Sequence, residues 1–196
     1  MARLTRKEKQ AHTRTCLMNA AAKVFTKRGL QQASIDEVSE QAGFTKGAFY
    51  ANFKSKEELF LAMLDERFAE RLAEVERMAT EDDLTPAVTA DPEWDRLFFE
   101  FSAYAARNED FREELVTRYK ALRSRVAEAI RKRAEREGIE PPVPVEQISL
   151  MTFAMAKGVA LENLLEPDVV DDELYGTMLM IFFTGLRTLA ENKVAS

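Results

Sequence analysis

The sequence predicts an all-α protein, and three observations carry that prediction. Apolar residues recur every three or four positions over long stretches, while the alternation of a half-buried strand is hard to find. Glycine and proline are few, 7 and 6 in 196 residues, so little interrupts those stretches. Two Ser-x-x-Glu pairs, Ser34–Glu37 and Ser55–Glu58, have the spacing of capping boxes, which start helices. A chain of this length buries a good core, as one domain or as two small ones.

Charge divides the chain. The net charge is −6, yet residues 1–56 carry eleven Lys or Arg against four Asp or Glu, or +7, and residues 57–196 carry seventeen against thirty, or −13. A basic head on an acidic body is the footprint of a protein that meets phosphate with one end. The acidic excess of the body reads as a solvated surface. The opening MARLTRKEKQ lacks the apolar stretch of a secretion signal. The longest uncharged run, Leu174–Leu186, has thirteen residues, short of the ~18 that point to a membrane span. One cysteine permits no internal disulfide. The expected location is the cytoplasm.

Residues 1–9 hold Arg3, Arg6, Lys7 and Lys9, read either as a basic arm for the DNA backbone or minor groove, or as a frayed terminus. A first helix is predicted from Gln10 to Arg28, with Cys16, Leu17, Ala20, Ala21, Val24 and Phe25 as its apolar stripe and Gly29 as its end. His12 and Cys16 lie four apart on it. A structural zinc site needs about four ligands, and no other Cys or His exists to complete one. Cys16 falls in the apolar stripe and reads as a small hydrophobe, so no metal or cofactor is expected.

The stretch Ala33–Lys56 carries the chemistry. Ser34 caps a short helix whose Ile35, Val38 and Ala42 share one face; Gly43 ends it, and Phe44 plugs the turn. Thr45 caps a second helix, anchored by Phe49 and Phe53. Two short helices about a tight glycine turn are the pattern of a helix-turn-helix. Thr45, Lys46, Tyr50, Asn52, Lys54 and Lys56 offer hydroxyl, ammonium, phenol and amide groups, with no acid among them, as phosphates and base edges require. Gly47 and Ala48 are small and permit close approach to DNA. Lys46 and Tyr50 are the candidates nearest the groove centre; Thr45, Lys54 and Lys56 are candidates for phosphate. The helix starting after Lys56 adds free N–H groups beside Lys54 and Lys56.

The run Cys16-Leu17-x-x-Ala20-Ala21-x-x-x-Phe25-x-x-x-Gly29, followed by SIDEVSEQAGFTKGAFYANFKSKEELF, resembles the DNA-binding domain of the TetR family of bacterial transcriptional regulators over roughly residues 10–62. Two features depart from that pattern. Cys16 stands where Ile, Val or Leu is usual, and Ala51 and Asn52 stand where many members have His or another aromatic. The resemblance implies a helix-turn-helix DNA-binding domain, residues 1–56, followed by a helical ligand-binding and dimerisation domain, residues 57–196.

In that second part, the helix from Lys56 has a stripe of Phe60, Leu64, Phe68, Leu72 and Val75 and links the two domains, as the matching helix does in the family. Residues 80–92, TEDDLTPAVTADP, read as a mobile acidic loop. From Glu93 to Arg107, Leu97, Phe98, Phe101, Tyr104 and Ala105 form a broad stripe opposite Glu93, Arg96, Glu100 and Arg107, so Glu100 reads as outward. In a TetR-like body this aromatic helix is a natural pocket wall. Phe98, Phe101, Tyr104, Tyr119, Met151 and Met155 are the candidate ligand contacts, each with plain core as the competing reading. A helix from Glu109 to Glu137 ends at Gly138, and IEPPVP, residues 139–144, forms a stiff connector.

Two last helices are predicted over Val145–Leu165 and Asp171–Asn192. The final one carries two apolar stripes: Leu174, Met178, Ile181, Gly185 and Leu189, and Tyr175, Leu179, Phe182 and Leu186. One buried face serves a terminal helix; a second implies another chain. In the TetR family the last two helices of each subunit build a four-helix dimer interface, which makes Ala154, Gly158, Met178, Phe182, Phe183 and Leu186 the interface candidates. The resulting expectation is a homodimeric repressor, with no enzymatic activity, that binds a palindromic operator in double-stranded DNA and is released by a small-molecule inducer. Control by a protein partner and non-specific architectural DNA binding are the alternatives.

Overall fold

A computed structural model of the chain describes residues 5–80, 91–171 and 173–194, and every regular element among them is a helix. They are α1 (Arg6–Gln32), α2 (Ile35–Gln41), α3 (Lys46–Tyr50), α4 (Lys56–Thr80), α5 (Pro92–Ala105), α6 (Glu109–Glu137), α7 (Val145–Leu165) and α8 (Leu174–Val194). The acidic loop foreseen over residues 80–92 lies outside the described residues from 81 to 90, as does Arg3 of the foreseen arm. Arg6, Lys7 and Lys9 are not an arm but the opening turns of α1. Thr5 starts that helix early: its Oγ1 accepts the Glu8 N–H at 3.3 Å, and Glu8 Oε2 accepts the Thr5 N–H at 2.7 Å.

The described residues form two compact units. The first reaches Arg67 and also contains Glu93–Leu115; the second holds Phe68–Pro92 and Val116 onward. The first unit therefore extends beyond the head expected from residues 1–56. It takes in the start of α4, most of α5 and the first turns of α6. Aromatic packing explains why. Phe101 of α5 is fully buried, lies parallel to Phe60 of α4 at 3.5 Å between centroids, and meets Phe25 of α1 edge-on at 5.8 Å. Phe111 closes on Phe101 at 5.9 Å, and Trp94 stacks on Phe60 at 5.9 Å. The Tyr104 hydroxyl donates to Glu57 Oε1 at 3.1 Å, a second tie between α5 and α4.

A single turn joins these helices to α2. At Gly29, φ is +74° and ψ 159°, a region held essentially by glycine alone and costing other residues ~1–3 kcal/mol, and α1 kinks there before one last turn. Glu100 is not outward. Its carboxylate accepts the Leu30 N–H, and a Cβ placed on Gly29 would stand 2.8 Å from Glu100 Oε1. On the other side of the turn, Lys56 Nζ donates to the carbonyls of Leu30 at 2.7 Å and Ala33 at 2.8 Å. One short segment is thus held by a carboxylate from α5 and an ammonium from α4.

In the second unit, Leu122, Val126 and Ala129 of α6, Ile148 and Thr152 of α7, and Leu179 of α8 are buried. Ser149 Oγ donates to the Arg123 carbonyl at 3.0 Å and fixes α7 against α6. Gly138, with φ +65°, ends α6, and Glu137 pairs with Arg133 at 2.7 Å and with Arg187 of α8.

Glu100→Ala removes a charged acceptor from a part-buried N–H and is expected to cost ~1–3 kcal/mol. Gly29→Ala is expected to destabilise through both its φ and its clash with Glu100. In a double-mutant cycle read by denaturant unfolding, Gly29→Ala loses less in the Glu100→Ala background than in the native one. Equal losses in both backgrounds would show that the two residues do not touch.

Candidate functional site

The helix-turn-helix is built by local hydrogen bonds that its sequence specifies. Ser34 Oγ accepts the Glu37 N–H at 3.1 Å, and Glu37 Oε2 accepts the Ser34 N–H at 3.0 Å, a bond that holds the Glu37 carboxyl below its usual range. Val38 and Ser39 turn inward, with Ser39 Oγ donating to the Ile35 carbonyl at 2.8 Å. Gly43 takes φ +75°, and the Phe44 N–H returns to the Ser39 carbonyl at 2.9 Å, closing the turn. Thr45 Oγ1 accepts the Ala48 N–H at 3.2 Å and starts α3.

The second helix ends at Tyr50, before Phe53, the second of its expected anchors. The Asn52 N–H bonds to the Phe49 carbonyl at 2.8 Å with three-residue spacing, and Asn52 Nδ2 bonds back to the Ala48 carbonyl at 2.8 Å. Such a side chain competes with the helical ladder. Phe49 and Phe53 are buried as their spacing required. Arg14 of α1 completes the anchor: its guanidinium lies 4.2 Å from the Phe53 ring centroid, and Nη1 donates to the Asn52 carbonyl at 2.6 Å. No local spacing signals this role for Arg14, because its partner is 38 positions away.

The outward face of α3 presents Thr45, Lys46, Gly47 and Tyr50, with Lys54 just beyond and Ala48 half-buried. Tyr50 is 52 % exposed, unusual for a large aromatic side chain that has a core within reach. Lys46 Nζ pairs with Asp36 at 3.0 Å, and that hydrogen bond and charge raise its pKa. Both partners are exposed, so the pair is a weak tie. A Cβ on Gly47 would meet only Thr45 Oγ1, at 3.7 Å, so the fold does not require glycine there.

Two expected contacts have other duties. The Asn52 amide is turned onto Ala48 and its Oδ1 is buried, so it is part of the α3 terminus rather than of the outward face. The Lys56 ammonium sits on two backbone carbonyls and is a clamp of the α1–α2 turn. The N-terminus of α4 is also partly occupied: Ser55 Oγ accepts the Glu58 N–H at 3.2 Å, and Glu58 Oε2 accepts the Lys54 N–H at 2.7 Å.

The six candidate ligand contacts divide between the units. Phe98, Phe101 and Tyr104 belong to the first, where Phe98 and Phe101 are buried and Phe101 is core to the aromatic stack. A ring with packed aromatics on its faces fills space rather than lining it. Tyr119, Met151 and Met155 belong to the second. Tyr119 meets Phe68 edge-on at 5.0 Å and Phe153 at 6.2 Å, and Lys157 Nζ stands 4.0 Å from its ring centroid. Met151 is 42 % exposed on the outer face of α7 and lines no interior; Met155 is half-buried.

That outer face is apolar for the length of the helix: Leu150, Met151, Ala154, Gly158, Leu161 and Leu165 are exposed. On α8, Leu179 faces inward, while Met180, Ile181, Gly185 and Leu189 are exposed. The candidate interface residues Met178, Phe182, Phe183 and Leu186 are half-buried beside them. A Cβ on Gly158 or Gly185 would meet nothing within 4 Å. By length and composition α7 could cross a membrane, with a mean hydropathy of 1.3. It nonetheless carries Glu146, bonded to Arg131 at 2.9 Å, and a half-buried Lys157. His12 Nε2 and Cys16 Sγ are in contact at 3.6 Å, Cys16 is half-buried, and no group of three metal-ligating side chains occurs among the described residues.

Comparison with known proteins agrees with this architecture. The family profile described as "Bacterial regulatory proteins, tetR family" matches residues 17–63, and "BetI-type transcriptional repressor, C-terminal" matches residues 77–187. The uncharacterized HTH-type transcriptional regulator YfiR of Bacillus subtilis is 26 % identical over 165 residues, covering 76 % of this chain and 78 % of that protein. The HTH-type transcriptional regulator TtgR of Pseudomonas putida is 42 % identical over 65 residues, 33 % of this chain and 30 % of that protein. A Rhodococcus structure described as a TetR-family transcriptional regulator superposes with a TM-score of 0.75 at 21 % identity, covering 90 % of this chain and 99 % of that one. The capped helix-turn-helix, the all-helical body and these matches, over both parts of the chain, make it a member of the TetR family of transcriptional regulators.

Proposed function

We propose that this chain is a repressor that binds a palindromic operator as a homodimer and is released by a small molecule. One observation carries the DNA contact: the exposed face of α3 offers Thr45, Lys46 and Tyr50 around a glycine that the fold itself does not need. Two copies of α3 enter successive major grooves about one helical turn, ~34 Å, apart. Lys46 exchanges Asp36 for the DNA, Tyr50 reaches a base edge or phosphate, and Lys54 neutralises phosphate. The +7 charge of residues 1–56 steers this end to DNA, and the −13 of the remainder keeps the body off it.

The second copy covers the apolar ridge of α7 and α8. Small residues at 154, 158 and 185 let facing helices approach closely, and the half-buried Met178, Phe182, Phe183 and Leu186 complete the seam. The effector acts by favouring one conformation over another. Helices α4 and α6 each run unbroken from one compact unit into the other, so they are the covalent routes for that signal. The chain works by binding and catalyses no reaction. A protein partner on the same ridge is the second reading, favoured by Leu165 and Val169, which are 68 % and 71 % exposed.

Operator binding across a salt series separates the lysines. Lys54→Ala lowers the salt slope by ~1 and leaves stability unchanged. Lys56→Ala destabilises the fold and leaves the slope as it was; a slope reduced in that variant would return Lys56 to the phosphate contacts. Gly47→Leu keeps the fold and weakens operator binding at least ~10-fold, because its side chain fills the space that the groove needs.

Sedimentation of Ile181→Asp tests the ridge. The variant is expected to be monomeric and to lose most of its operator affinity, since each half-site then binds alone. A native chain that sediments as a monomer and binds its operator one copy at a time would favour the protein-partner reading.

A further inference from the structure

The last turn of α1 is held in an unusual way. Gly29 leaves helical geometry, residues 30–32 add one more turn, and the Ala33 N–H closes it on the Gly29 carbonyl at 3.1 Å. Leu30 and Ala33 are buried. The Leu30 N–H goes to the Glu100 carboxylate, 70 positions away, and the Leu30 carbonyl to Lys56 Nζ at 2.7 Å. Both backbone polar groups of one residue thus end on charges from other helices. Four residues beyond Glu100, on the same side of α5, the Tyr104 hydroxyl donates to Glu57 Oε1 at 3.1 Å. That bond ties the helix that carries Glu100 to the start of α4.

We infer that Glu100 is a positioning residue for operator recognition: without touching DNA, it sets the angle at which α2 and α3 present Thr45, Lys46 and Tyr50 to a groove. This rests on the reading that the chain binds a specific operator. Stability alone does not call for the arrangement. A helix continued through residue 29 would satisfy the Leu30 N–H with the Thr26 carbonyl, four positions back. A half-buried carboxylate in its place carries a desolvation cost that a carbonyl does not. What the kink and the carboxylate supply is direction. Two residues, Ala33 and Ser34, separate α1 from α2, and the Phe44 N–H on the Ser39 carbonyl at 2.9 Å binds α2 to the turn that leads into α3. Helix α2 has seven residues and is ~10 Å long, so a ~10° tilt at its start moves α3 by ~2 Å, several times the ~0.5 Å that a binding constellation tolerates. A carboxylate repels phosphate, so the sign of its charge separates positioning from contact.

The test uses the full-length protein and two duplexes: one selected by the native chain from a randomised pool, and a scrambled duplex of the same composition. Affinities are read by fluorescence anisotropy across a salt series, where circular dichroism shows each variant folded. By charge alone, Glu100→Ala would tighten binding to both duplexes. The expected result has the opposite sign on one of them: affinity for the selected duplex falls at least ~10-fold, while the scrambled duplex binds as before or tighter. Glu100→Gln, whose amide oxygen still accepts the Leu30 N–H, keeps most of the discrimination. Glu93→Ala, which removes an exposed carboxylate from the same helix, keeps all of it. Should Glu100→Ala fail to fold, Glu100→Asp, which keeps the charge and withdraws the acceptor by one methylene, is expected to repeat the loss. Discrimination unchanged in Glu100→Ala and Glu100→Asp, or equal losses on both duplexes, overturns the positioning role and leaves the operator reading standing. A native chain that selects no sequence and binds both duplexes alike overturns the operator reading itself.

Discussion

The DNA-reading end of this chain depends on how one peptide segment is held. Between Gly29 and Ala33 the backbone leaves α1 and turns toward α2, and its polar groups are taken from two directions. Glu100 of α5 accepts the Leu30 N–H; Lys56, at the start of α4, donates to the carbonyls of Leu30 and Ala33. Charged partners form the stronger class of hydrogen bond, and part-burial raises the cost of leaving either side unmade. The segment sets the path into Ser34, which caps α2, so the direction of α2 and then of α3 follows from it. Glycine at 29 fits for two reasons at once: its φ is positive, and a Cβ would collide with the carboxylate that holds the turn.

The same ties belong to a first compact unit that takes in residues 93–115. Phe60, Phe101 and Phe25 form a stack drawn from α4, α5 and α1, with Phe111 and Trp94 against it. Buried aromatic rings dominate the energetics of small cores, and this group is shared by helices far apart in sequence. Residues 93–115 therefore pack as part of the first unit although they follow the long helix α4. Helices α4 and α6 belong to both units along their lengths.

The surface sorts into regions of different chemistry. The α3 face is polar and basic; the outer sides of α7 and α8 are apolar, with small residues among large ones. Scattered exposed apolar residues are ordinary; here they line the outer sides of two adjoining helices. Hydropathy alone cannot distinguish such a ridge from a lipid-facing helix, which is why α7 has the composition of a membrane span while carrying charged residues.

Sequence by itself determined everything that depends on near neighbours. The all-α class, the limits of α6 and α7, the caps at Ser34 and Thr45, the glycine turn at 43, and the buried pair Phe49 and Phe53 all follow from spacings of three or four residues. Such spacings place side chains on one helix face or one capping bond. Thr5-x-x-Glu8 is a local signal of the same kind, and α1 starts there. Tertiary structure alone decided what depends on distant partners. Lys56 and Asn52 have the chemistry of DNA contacts, but one is drawn to carbonyls 23 and 26 positions away and the other bends onto its own helix. Glu100 shares a helix face with exposed charges, yet bonds a backbone N–H 70 positions off. Phe101 and Met151 have the character of pocket residues, but one is enclosed by rings from three other helices and the other faces outward. A helix reports which residues share a face; only its packing decides what that face meets.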